Sequence, residues 1–375
     1  MTEDEIRKAG GKDNETEFFP CSTVWPMGFA WSSCVAQSTL MGLCERAGLS
    51  ENMVLVADHS LPTDLSLAFA VATDDLMIFS DGPSGITLDA ARRVESVMHD
   101  FGVFKNPDKD IDEASSTTCV GIDLVDGRFW MPPSERVWRH VDAVIDLAAN
   151  GIGSRGGVAG FMGSAQWYDL LRRMRLSVFD HVYGFSSGSL AKDWTQVCVP
   201  DSVVGELLLD TVFSVLGVVD MQLPFLPLIA ATDASTEYGH GGVVAQSDVD
   251  TVRSIARMAC KLGGHVCLND GPELSEALLA RLGPRQSIDL ELKNDVIFSV
   301  HVESPNHINI EEGLALIRYL KWVLRCSSRF SHRVVLLVDS KVVLGAIAKG
   351  RSSSKPLNAI VRRAASLCFA GGLTL

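Results

Sequence analysis

The sequence runs to 375 residues, 47% of them hydrophobic and 21% charged, with a mean hydropathy of +0.18; this is apolar material enough for two or three packed domains and argues against wholesale disorder. The net charge of -13 runs against the chain-wide basic surface that phosphate backbones select. Nine cysteines occur without a C-x-x-C pair, which argues against a zinc finger or a secreted disulfide scaffold and points to reduced thiols in an intracellular setting, cytoplasm or nucleus.

Residues 1–18 are polar and acidic and read as a flexible leader, not a signal peptide. A turn at Trp25-Pro26-Met27-Gly28 precedes a helical run from Ser32 to Arg46. Apolar runs at Met53–Ala57, Leu67–Ala72 and Leu76–Phe79 predict strands, the last two joined by a tight acidic turn at Asp74-Asp75. Thr87–Phe101 is amphipathic, with Leu88, Ala91, Val94, Val97 and Met98 on one face of a helix. Cys119–Val125 and Arg128–Met131 flank Asp126-Gly127, a dipeptide favoured in two-residue hairpins.

After Pro132-Pro133 the segments are mostly helical: 134–149, 156–179 and 203–218. The longest apolar stretch, Val203–Ala231, is broken by Glu206, Asp210, Asp220, Pro224 and Pro227, so no membrane span is expected. From Leu226 the pattern becomes α/β. Strands are expected at Leu228–Thr232, Gly241–Ala245, Val296–Val302 and Val334–Val338, and helices at Asn309–Arg325, Lys341–Ala348 and Leu357–Ala370. Residues 246–282 fit this pattern poorly and read as an insertion. Basic residues gather at Arg172, Arg173 and Arg175, at Arg325, Arg329 and Arg333, at Lys349, Arg351 and Lys355, and at Arg362 and Arg363. Each group is as readily a solvated helix face as a phosphate contact.

Two carboxylate constellations stand out. Asp74 and Asp75 sit at a hairpin between apolar strands, where a divalent cation is a natural compensator, although acidic pairs in exposed turns are common. Asp233 ends a strand before a glycine-rich return. Glu311-Glu312 open a helix and place a carboxylate in its first turn, and Asp339 ends a buried strand. Singly these are ordinary turn, cap or first-turn acids. Together, at one end of a sheet, they are what two-metal phosphodiester hydrolysis requires. No strand is followed by G-x-G-x-x-G and a helix, which argues against a Rossmann-type nucleotide domain.

The Trp25–Ser33 segment with Gln37, the Ala72-Thr73-Asp74-Asp75 turn, the Val120-Gly121-Ile122-Asp123 hairpin and the Leu170–Tyr183 stretch resemble the reverse transcriptases of LTR and DIRS-like retroelements. Asp233-Ala234-Ser235, Glu312-Gly313-Leu314-Ala315 and Asp339-Ser340 through Asn358 resemble the ribonuclease H domain of the same polyproteins. The resemblance implies an α/β protein: a partial palm over 19–131, a helical thumb and connection over 132–222, and a ribonuclease H-like domain over 223–375. It implies Asp74, Asp75, Asp233, Glu312 and Asp339 as catalytic metal ligands for Mg²⁺ or Mn²⁺. It implies substrate contacts at Pro26, Gly28, Gln37 and Ser340, with primer–template, deoxynucleotides and RNA–DNA hybrid as partners. Ala72 and Thr73 depart from the family's usual aromatic and aliphatic pair. Met1–Phe19 offers no buried strand bearing the family's first aspartate, and no Asp or Glu follows Asp339, where the family has a fourth ligand. The expectation is therefore a partial copy without polymerase activity, C-terminally truncated. The alternative is an inactive remnant that binds nucleic acid or a protein partner.

Overall fold

The computed structural model describes residues 31–56, 62, 64, 66–259, 265–267, 285–287, 292–304 and 306–375. The fold is mixed α/β. The chain divides into two compact units, one of residues 1–54 with 62–110 and one of residues 55–61 with 111–375.

In the first unit, helices α1 (Ser32–Arg46) and α2 (Ile86–Asp100) accompany the hairpin of β1 (Ala68–Ala72) and β2 (Asp75–Phe79). Their core joins Leu40, Cys44, Leu49, Val54, Phe69, Ala90 and Val94. Leu49 and Val54 both enter that core, so the chain between them turns. Glu51–Met53 is a short 3₁₀ helix, and Val54 makes a single bridge to Phe69 in place of the strand expected from Met53. Ala57 lies outside the described residues. Ala72 pairs with Asp75, which leaves Thr73 and Asp74 as the turn, Thr73 at a φ of 60°.

The second unit opens with four short antiparallel strands in the order β3-β4-β5-β8: Thr117–Cys119, Ile122–Val125, Phe129–Met131 and Val219–Asp220. The single strand expected over Cys119–Val125 is split, because Val120 and Gly121 both take positive φ (44° and 77°) and fold β3 back on β4. Asp126 and Gly127 (54° and 61°) make the expected tight turn to β5. Residues 111–131 were expected to close the first domain. They lie in the second unit, where β5 pairs with β8 and Arg128 holds Asp220 through two hydrogen bonds of 2.9 and 2.7 Å.

Helices α3 (Ser134–Asn150), α4 (Arg155–Asp169), α5 (His181–Ser186) and α6 (Asp201–Phe213) follow, with β6 (Ile152–Ser154) pairing β7 (Gln196–Cys198). Val144, Val158, Met162, Val182, Val203 and Leu207 form their core. The helix expected over 156–179 ends at Asp169 and continues as a 3₁₀ segment, Leu170–Val178, kinked at Arg172. A buried ion triad accompanies the break. Arg175 Nη2 reaches Asp169 Oδ1 at 3.0 Å and Asp210 Oδ1 at 2.8 Å, and all three side chains are almost fully buried. Burial and the Asp210 charge push the Asp169 carboxyl up to about 8.

The remainder is a four-stranded sheet in the order β13-β10-β9-β14, from Asn294–Val300, Gly239–Gln246, Phe225–Ser235 and Arg333–Val338. Central β9 is antiparallel to β10 and parallel to β14. It is longer than the expected Leu228–Thr232, so Asp233 lies within the strand, opposite Gly241. Helix α8 (Ile308–Val323) packs on the sheet and α10 (Lys355–Gly371) packs on α8, through Ala230, Val244, Leu316, Leu320, Val361 and Cys368. Residues of α7 (Val249–Met258), namely Val252 and Ile255, join Ile229 and Val335 in a second cluster. The expected insertion therefore begins with a helix that belongs to the core. The short parallel pair β11 (His265–Cys267) and β12 (Arg285–Ser287) is described within the rest of that region. Helix α9 (Lys341–Lys349) follows β14, and Thr374 bridges in parallel to Arg333.

Glycine in β10 has a direct cause. A Cβ on Gly242 would lie 2.3 Å from Cζ of Phe298 on β13, whereas one on Gly163, inside α4, meets nothing within 4 Å. Gly242→Ala is expected to destabilise the chain by about 1–3 kcal/mol through overpacking. Gly163→Ala is expected to stabilise it by about 0.5–1 kcal/mol through helix propensity. Urea unfolding midpoints check both, and equal effects would refute this packing.

Candidate metal centre

Three elements bring three carboxylates together. In the parallel register of β9 and β14, Val338 stands beside Thr232. The next residue of each strand is an aspartate, so Asp233 and Asp339 are neighbours across one strand spacing. Thr232 is buried while Asp233 and Asp339 are exposed. Glu312 comes from above. Glu312, Leu316, Leu320 and Val323 fall at helical spacing on α8, and all are buried. Glu312 thus continues the apolar stripe at its N-terminal end. One ligand oxygen from each of Asp233, Glu312 and Asp339 lies within 4.8 Å of the others.

The electrostatics follow from this crowding. Burial, then the charges of Asp339 and Asp233, raise the Glu312 carboxyl from 4.5 to about 7, partly offset by the Ala234 N–H. Glu312 Oε2 is buried with no hydrogen-bond partner. An orphaned carboxylate oxygen facing two further carboxylates fits a hard divalent cation, since Mg²⁺ and Mn²⁺ take oxygen ligands.

Glu311, one residue earlier, does something different. Its Oε2 accepts from His240 Nε2 at 2.6 Å, and its Oε1 accepts from the Asn306 backbone and side-chain N–H groups at 2.6 and 2.8 Å. Arg318 Nε donates to His240 Nδ1 at 2.8 Å, which fixes the ring with its proton on Nε2. Burial alone would raise the Glu311 carboxyl, but the Asn306 and His240 bonds prevail and hold it below its ordinary range. This network ties β10, the residue at 306 and the first turn of α8 together, directly beside Glu312.

The other expected site residues are distributed as follows. Asp74 and Asp75 are exposed at the β1–β2 turn, and among the described residues they join no group of three metal-capable side chains. Gln37 Oε1 accepts from the Thr73 N–H of that turn at 3.4 Å. Pro26 and Gly28 lie outside the described residues. Ser340 caps α9, its Oγ accepting from Val343 N–H at 3.4 Å. Several basic residues are engaged within the fold. Arg172 donates to the Leu373 carbonyl, Arg362 to the Ser177 carbonyl, Arg329 to the Trp322 carbonyl and Arg333 to the Met221 carbonyl, while Arg175 is buried.

The His240–Glu311–Asn306 network and the Arg175 triad had no signature in the sequence, because each needs a partner from a distant segment, His240 for Glu311 and Asp210 for Arg175. The buried pair Glu311-Glu312 was the available signal. Two adjacent acids on a core-facing helix must each be compensated.

No protein-family model matches the chain, and no curated protein matches it. Among the described residues no helix is long and apolar enough to cross a membrane.

A pH dependence follows. Glu312 is protonated more readily in the metal-free fold than in the unfolded chain, so its contribution to stability falls as pH rises from about 4.5 to about 7 and is level above that. Metal-free Glu312→Gln is therefore expected to unfold at a higher urea midpoint than the parent at pH 8 and at the same midpoint at pH 4. Taking the difference between the two proteins cancels the titration of Asp169. A variant less stable than the parent at pH 8 would contradict this charge crowding.

Proposed function

We propose that residues 223–375 form a ribonuclease H-like, divalent-metal-dependent nuclease domain, and that the chain is of retroelement reverse transcriptase/ribonuclease H type with an RNA–DNA hybrid as its substrate. The observation that carries this reading is the meeting of Asp233, Glu312 and Asp339 within 4.8 Å from two neighbouring parallel strands and a covering helix. The mixed sheet order β13-β10-β9-β14, with one parallel pair, supports it.

In this reading Asp233, Glu312 and Asp339 hold Mg²⁺ or Mn²⁺. The bound ion supplies water activation and charge stabilisation for phosphodiester hydrolysis. The two exposed aspartates leave one side of the centre open for a phosphate. Burial and the neighbouring carboxylates raise Glu312 to about 7, so below neutral pH a cation that enters must displace a proton.

A second reading, a chain that binds nucleic acid or a protein partner without cutting, is favoured by one observation. Among the described residues no fourth carboxylate joins the group, and three ligands serve a pair of ions less well than four.

Mn²⁺-dependent cleavage of an RNA–DNA hybrid by the whole chain separates the two. The hydrolase reading expects cleavage that Asp233→Asn and Asp339→Asn each reduce by about 10²-fold or more, of the order seen when transition-state charge stabilisation is removed. Folded protein with no cleavage, or cleavage unchanged in both variants, would remove the hydrolase reading.

A further inference from the structure

Away from the carboxylates, a cleft of about 340 Å³ opens in the second unit. That volume is within the range of small-ligand sites. Trp167 of α4 and Leu170 of the 3₁₀ segment line it while 43% and 45% exposed, over buried Leu176. Scattered exposed apolar residues are ordinary, but these share one concavity with three convergent polar groups. Gln166 Nε2 donates to the Tyr183 hydroxyl at 2.9 Å, and the Arg351 guanidinium lies 4.9 Å over the Tyr183 ring.

The cleft is built in advance. The Trp167 indole N–H donates to the Val120 carbonyl at 3.1 Å, which sets the ring's orientation. Arg351 follows Gly350, whose close approach to the Arg173 carbonyl would place a Cβ only 1.8 Å from that oxygen. Arg351 and Asp339 flank one helix along the chain. Helix α9 begins two residues after Asp339 and ends at Lys349, and a helix of that length spans roughly 14 Å.

The lining selects its ligand. Aromatic and aliphatic walls suit a flat apolar face, an amide and a phenol suit a polar edge, and one guanidinium suits an anion. An acyl chain would leave the charge of the Arg351 guanidinium unmatched, and a cation would find no carboxylate in the lining. A nucleobase with its attached phosphate satisfies all of them. We propose that this cleft binds an unpaired nucleotide of the strand that the carboxylate centre engages, an assignment that rests on the nuclease reading for the identity of the strand. A free mononucleotide carries the same chemistry.

The test is fluorescence anisotropy of a labelled single-stranded 12-mer (roughly the span of an OB-fold site) with the full chain in EDTA, so that the metal centre plays no part. Competition by AMP separates the two sources: displacement only at AMP concentrations far above the strand's Kd marks the strand as the ligand, and displacement at comparable concentrations marks the free nucleotide. Gly163 lines the cleft and has open space at its Cβ, so Gly163→Leu adds apolar bulk at the lining. Gly163→Leu and Trp167→Ala are each expected to weaken binding about tenfold or more, within the range for one stacked base. Trp167→Phe keeps a stacking face but loses the Val120 bond, and is expected to retain most of the affinity. Arg351→Gln is expected to weaken binding and flatten its salt dependence. Parent-like affinity in Gly163→Leu and Trp167→Ala, or no binding of strand or AMP by the parent, would overturn the proposal. Hybrid cleavage is scored separately, so a failed hydrolase reading leaves this result interpretable.

Discussion

Three carboxylates held within 4.8 Å of one another repel, by an amount of the order of 1–4 kcal/mol per charged pair between exposed and half-buried limits. The fold must supply that energy elsewhere, and it does so through rigid placement. The backbones at Asp233 and Asp339 are placed side by side by the parallel register of two strands that carry core residues. Glu312 is fixed because its helix buries Leu316, Leu320 and Val323 on the same stripe. Buried Glu312 cannot leave without unpacking the helix. The three carboxylates are therefore brought together by the packing of the sheet and the helix.

The adjacent glutamates show how one helical turn sustains two opposite outcomes. Glu311 is surrounded by donors from His240 and Asn306, and its carboxyl is held low. Glu312 meets burial and two like charges, and its carboxyl is pushed up to about 7. The first anchors the helix to β10 and the second meets Asp233 and Asp339. Exchanging their roles would require rotating α8 by one residue, about 100°, which would take Leu316 and Leu320 out of the core.

Much of this was legible in the sequence, and the reason is locality. The Asp-Gly turn and the strand ending at Val338 are short-range patterns, the first following from dihedral preference and the second from a run of apolar residues. The choice of Glu312 over Glu311 rests on the family resemblance. What escaped depends on partners remote in sequence. Arg175 sits with Asp169 and Asp210, and the break after Asp169 is not written in helix propensity. The division near Asp110 follows from β5 pairing with β8, some 90 residues apart in sequence. Val120 at positive φ is contrary to the habit of a β-branched residue, so the split between β3 and β4 was hidden. Of the arginine clusters, several members donate to carbonyls within the fold, which composition could not have indicated.

The most direct test of the account is a calorimetric titration of the whole chain with Mn²⁺ at pH 8, in parallel with Asp233→Asn, Glu312→Gln and Asp339→Asn. If the carboxylates form a cation centre, the parent binds Mn²⁺ and each variant loses at least the ~10-fold that removal of an outer-shell partner costs at metal sites. Binding at equal strength in all four proteins, or none in the folded parent, would contradict it.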